Sequence, residues 1–158
     1  MAAMVTANGT AALAKPKCLI PVLEAEEIDR WWHGFVLGGV QSVIEKADGS
    51  ADFLPEEVYV YLRRRAAHLY LVQLNGKVGG FTIFRKMHQP FSGSEFLLIW
   101  LGFAISKEYT DAFYRELPDL MRSLKYTKVV QETCRAGFDR KPPPGFKTAL
   151  YTQVMTLD

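Results

Sequence analysis

Asn75-Gly76 is the feature that most constrains how this chain can fold. Asn and Gly tolerate the left-handed backbone that a two-residue hairpin turn demands at both central positions. The pair stands between two segments rich in β-branched and aromatic residues, 68–74 and 77–87, so an antiparallel hairpin is predicted there. A loop at 88–94, carrying Pro90 and Gly93, leads into residues 95–105, which are almost all apolar. That length and aromatic content predict a central strand buried on both faces.

The remaining elements arrange themselves around this meander. Residues 17–22 read as a short strand, with Pro21 favouring an edge or a strand end. Glu24, Glu26 and Glu27 open a helical pattern, where the helix dipole favours acid. Ile28, Trp31, Trp32 and Phe35 give it one apolar face, and Gly38-Gly39 is expected to end or break it. Trp31 and Trp32 are adjacent and cannot both face the core of one regular helix. One of them is expected to meet a second helix, the N-terminal arm or a partner. Pro55, Glu56 and Glu57 start a second helix that ends on Arg63-Arg64-Arg65, a run read as a solvated helix end or an anion contact. Thr110 is read as the N-cap of a third helix with the face Phe113, Leu117, Leu120, Met121 and Leu124; Pro118 lies inside it and predicts a kink or a split. Strands at 127–133 and 147–155 follow, separated by a basic, proline-rich loop at 135–145. The expected class is α+β, in the order β-α-α-β-β-β-α-β-loop-β.

Composition sets the broad limits. With 158 residues, 49% hydrophobic and 23% charged, the chain has enough apolar surface for one core without a metal or disulfide staple. The expected organisation is a flexible arm at 1–16 followed by a single domain at 17–158. A net charge of +2 does not indicate nucleic acid. Cys18 and Cys134 are far apart, and His33, His68 and His88 share no spacing, so no metal site is expected. No apolar run reaches the roughly 18 residues of a spanning helix. The first fifteen residues lack the charged start and apolar stretch of a signal peptide, and a cytoplasmic location is expected.

The element order resembles the GNAT fold of the Gcn5-related N-acetyltransferases from residue 17 onward. The Asn75-Gly76 hairpin looks like that family's second and third strands, and 96–105 with its following helix looks like the fourth strand and the acyl-CoA helix. Gly145-Phe146 looks like the family's late Gly-Phe. Arg135-Ala136-Gly137-Phe138-Asp139-Arg140 and that late Gly-Phe are similar to small GNAT-like proteins of tailed phages. The resemblance implies a mostly antiparallel mixed sheet with helices on both faces, and acetyl-CoA as the family's cofactor. One stretch departs from the pattern. Members usually carry Arg/Gln-x-x-Gly-x-Gly/Ala between the fourth strand and the helix, where successive N–H groups hold the CoA pyrophosphate. This chain has Ile105-Ser106-Lys107-Glu108-Tyr109-Thr110, without glycine. Lys141-Pro142-Pro143-Pro144 likewise replaces the helix that usually follows the fifth strand and carries a Tyr acid.

Candidate site residues follow from that comparison. Acyl transfer needs a base for the amine proton and an acid for the leaving thiol. Glu95 and Glu132 at strand ends are candidate bases, and Tyr109 and Tyr151 candidate acids; each carboxylate also fits a plain solvated strand end. Ser106, Lys107 and Thr110 occupy the place of the phosphate loop. Arg135, Arg140 and Lys141, on a loop stiffened by proline, and Trp31 with Trp32 are candidate partner contacts. Two readings stay open. One is a structural or interaction protein in or around a virion, without cofactor, meeting virion proteins or a second copy through the arm. The other is an acetyl-CoA-dependent N-acyltransferase on a small amine or protein.

Overall fold

The computed structural model describes residues 3–5, 11–13, 17–49, 51–131 and 143–146. Strands β1 (Ala3–Val5) and β2 (Ala11–Leu13) pair antiparallel as a sheet of their own within the segment read as an arm. Then come β3 (Leu19–Val22), α1 (Ala25–Trp31), a π-helical turn (Trp32–Val36), α2 (Leu37–Lys46) and α3 (Pro55–Arg63). Strands β4 (His68–Leu74), β5 (Lys77–His88) and β6 (Glu95–Ala104) follow, and α4 (Lys107–Leu124) leads to β7 (Val129–Gln131). The expected strand at 147–155 lies outside the described residues.

The main sheet has the order β3-β4-β5-β6-β7. Its first four strands are antiparallel, and β7 lies parallel to β6. A parallel neighbour cannot follow a tight turn and needs a crossover, which α4 supplies. Asn75 and Gly76 both have positive φ, 51° and 78°, as the two-residue turn requires. Helices cover both faces. Val36, Val40, Val58, Leu62, Phe81 and Ile83 share one core with α1 to α3, while Phe84, Leu97 and Ile99 meet Phe113 and Leu117 of α4 in the other.

Helix ends are fixed locally. The Glu57 carboxylate accepts the Leu54 N–H at 2.7 Å, with Pro55 at the first helical position of α3. At the end of α4, Lys125 turns left-handed (φ 62°) and the Tyr126 N–H donates to the Met121 carbonyl at 2.9 Å.

Three expectations are corrected and one is refined. Gly38-Gly39 do not end a helix; they lie inside α2, because Gly39 is where the helix presses on the Phe81 and Phe103 rings. Trp31 and Trp32 both pack on the same core where α1 passes into the π turn, and the expected contact with a second helix is made by Trp32, buried against Tyr59 of α3, while Trp31 meets the edge of Phe35. Thr110 is not the N-cap. Ser106 is, so α4 begins one turn earlier than the Thr-Asp pair suggests. Pro118 does not split α4, which runs through it; Phe113 and Leu117 are buried while Pro118 faces solvent, and packing outweighs the hydrogen bond that proline removes.

Candidate functional site

Among the described residues, β6 pairs with β7 from Leu97 with Val129 to Ile99 with Gln131, and β6 continues to Ala104. Beside this part of β6 lies a cleft of about 370 Å³. Trp100, Gly102 and Phe103 of β6 form one side, and Tyr109, Thr110 and Tyr114 of α4 the other; Lys46 lies at the end of α2.

Two β-bulges aim its aromatic groups. Ile83 pairs with Leu101 and Phe84 with Ile99, so Trp100 is an extra residue in β6. Val72 pairs with Gly80 and Gln73 with Val78, so Gly79 is an extra residue in β5. The Tyr109 ring lies directly on Gly79, in the space a Cβ there would fill, and its hydroxyl donates to the Lys77 carbonyl at 3.4 Å. An inserted residue bends its strand and re-aims side chains. At Trp100 it also reverses the in-out phase, sending Ile99 to the α4 core and Leu101 to the other.

The polar lining among the described residues is Lys46, Thr82, Thr110, Gln131 and the two tyrosines; no Asp, Glu or His is among them. The Tyr114 hydroxyl and the Gln131 Oε1 are 2.8 Å apart, a hydrogen bond that ties α4 to the last described residue of β7. The Thr82 hydroxyl donates to the Leu101 carbonyl at 3.2 Å within the sheet. The step from β6 to α4 is two residues long, Ile105 and Ser106. The Ile105 N–H donates to the Gly79 carbonyl at 2.8 Å, and Ser106 makes no side-chain cap.

Of the residues singled out in the sequence, Tyr109 and Thr110 line the cleft. Ser106 and Lys107 sit exposed at the start of α4, where Lys107 faces Asp111 at 3.9 Å across open solvent. Glu95 is at the far end of β6, exposed and paired with His88. At about 3.4 Å per residue it stands roughly 14 Å from Ile99. Its charge is felt instead by Tyr126, whose phenol is pushed up first by burial and then by Glu95. Arg63 bonds Asp29 at 2.9 Å, and Tyr59 donates to the same carboxylate at 2.6 Å, joining α3 to α1. Glu132, Tyr151, Arg135, Arg140 and Lys141 lie outside the described residues. Among the described residues no cluster of three His, Cys, Asp or Glu could hold a metal, and no helix is long and apolar enough to cross a membrane.

Sequence reasoning missed Trp100, Tyr114, Gln131 and Lys46. Trp100 was hidden in an unbroken apolar run, and the others become neighbours only through the crossover.

No protein-family model matches the sequence, and no curated protein does. Solved structures are similar throughout. One is a ribosomal-protein-alanine N-acetyltransferase from Brucella melitensis biovar Abortus 2308, with a TM-score of 0.60, 19% identity, and 89% of this chain and 96% of that one covered. Another is the aminoglycoside acetyltransferase meta-AAC0020 from an uncultured soil metagenomic sample, solved with trehalose (TM-score 0.59, 12% identity, 89% and 97%). A third is a GNAT family acetyltransferase of Staphylococcus aureus subsp. aureus (TM-score 0.55, 12% identity, 89% and 99%). At these identities the likeness is one of architecture. The chain has the GNAT-like α+β fold that its element order led us to expect.

Proposed function

We propose that this GNAT-fold chain works as a structural or interaction component in or around the particle of a tailed phage, and not through acetyl-CoA held in the manner usual for the fold. The step between β6 and α4 carries this reading. A pyrophosphate is held by several backbone N–H groups converging on it, with glycine where a Cβ would block the approach. Here two residues make the whole step, neither is glycine, and the Ile105 N–H is already bonded inside the sheet. The first turn of α4 adds the exposed carboxylate of Glu108, which repels an anion. These residues do not fit the group.

The phage setting rests on the likeness of 135–146 to small GNAT-like phage proteins. Two measurements test the two halves separately. Calorimetry of the purified chain with acetyl-CoA is expected to show no binding at micromolar concentration, and micromolar binding would overturn the reading. Mass spectrometry of purified particles is expected to detect the chain, and its absence would remove the virion role.

One observation favours a second reading, an active N-acyltransferase on a small amine or protein: a cleft of about 370 Å³ lies beside Tyr109 and Thr110. Under it, Tyr109→Phe would depress acetyl transfer to an amine acceptor. Transfer that Tyr109→Phe leaves unchanged removes Tyr109 from that role.

A further inference from the structure

Arg85 stands where β5 has run past the end of β4. The last β4 pair is His68 with Phe84, so Arg85 is flanked by a strand only on the β6 side, opposite Leu98. Its guanidinium carbon lies 4.8 Å from the centre of the Tyr61 ring and 5.2 Å from that of Trp100. Those two rings are 5.1 Å apart and tilted by 50°, so together they form a notch against which the guanidinium rests. Phe53 backs Trp100 at 5.6 Å. All four side chains are half-buried.

Ring faces attract a guanidinium but leave its in-plane N–H groups without acceptors. The ion pairs among the described residues are Arg63–Asp29, Lys107–Asp111 and Arg122–Asp119, and none includes Arg85. Its Nε is buried and makes no hydrogen bond among the described residues. The carboxylate of Glu57, at the start of the same helix as Tyr61, is already taken by the Leu54 N–H. A carboxylate arriving edge-on at the terminal Nη groups would form the paired N–H···O contacts for which arginine is suited.

We propose that Arg85, set in the notch of Tyr61 and Trp100, recognises a carboxylate group, either on an acidic segment of a partner protein or on a free carboxylic acid. Trp100 also lines the cleft between β6 and α4, whereas Arg85 and Tyr61 do not. The site stands whether or not the cleft takes acyl-CoA, because Arg85 lies apart from the start of α4.

The test is a titration of the full chain followed by ¹H–¹⁵N NMR, reading the Arg85 Nε–H and the Trp100 indole N–H. Two probes are used: succinate, and a short glutamate-rich peptide with blocked termini. Both reporter signals are expected to shift and saturate with at least one probe, while the Trp31 and Trp32 indole signals stay in place. Arg85→Lys keeps the charge but loses the fork, and should weaken binding about tenfold or more, the worth of one charged hydrogen bond. Arg85→Met should abolish it. Preference for the peptide identifies a protein partner; preference for succinate identifies a small acid. No saturable shift with either probe overturns the proposal, as does equal binding by wild type and Arg85→Lys. Folding of each variant is read from the same spectra, and Arg85→Lys keeps the test valid if Arg85→Met unfolds.

Discussion

A methyl group added at Gly39 would lie 2.8 Å from Phe81 Cζ and 3.0 Å from Phe103 Cδ1, with Phe81 Cε1 nearer still. Phe81 is itself 1% exposed and cannot retreat. Gly39→Ala should therefore lower the unfolding free energy by about 1–3 kcal/mol. At Gly38, the next residue, the same methyl meets nothing within 4 Å and points to solvent. Gly38→Ala should raise stability by roughly 0.5–1 kcal/mol, the ordinary gain of alanine over glycine in a helix. Urea midpoints of the two variants check the opposite signs. This pair also shows why the sequence misled. Glycine announces freedom, but the neighbour that demands it comes from another strand. Cys18 offers a second residue-level test. Its thiol is pushed up first by burial, then by hydrogen bonding to and the charge of Glu116, whose carboxylate also accepts the Leu19 N–H at 3.2 Å. A raised thiol has less thiolate at neutral pH. Alkylation of Cys18 by iodoacetamide should be slow, and faster in Glu116→Gln, as followed by peptide mass spectrometry.

Among the elements, β4 carries a pH dependence at its first residue. Burial, and then the charge of Lys86 on β5, holds the His68 imidazole below its usual range. The folded state thus binds the proton less readily than the unfolded chain, whose value is about 6.5. The stability linked to His68 is complete above that pH and is lost as pH falls through the lower folded value. Chemical denaturation between pH 7.5 and about 5 should show this loss, and His68→Gln should flatten it. The helices and strands themselves were legible because their signals are local: a turn dipeptide, a Pro-Glu-Glu start, apolar residues at helical spacing. The bulges were not. An extra Trp100 inside ten nearly uniform apolar residues leaves no mark in the alternation, yet it decides which core each neighbour enters.

At the scale of the whole molecule, the order of elements from β3 to β7 could be written down from the sequence, while the β1–β2 pair and the cleft could not. The lining of the cleft depends on residues from α2, β5, β6, α4 and β7 brought together by the crossover of α4. Tyr109 was found because it lies where the resemblance directed attention. Gln131 and Lys46 were missed because no local signal connects them to it. Arg85 was missed for a related reason: its rings come from α3 and from the β6 bulge, 24 residues before it and 15 after.

The two-residue step from β6 to α4 bears on the history of such a chain. Ile105 and Ser106 both face solvent, so inserted residues would displace no core atom. Each doubling of a flexible loop adds only about 0.6 kcal/mol of closure entropy. A phosphate-gripping loop is therefore something this scaffold could lose by a deletion or gain by an insertion, with its two cores left as they are. Stability does not choose between those lineages; only selection on what the cleft must hold can do so.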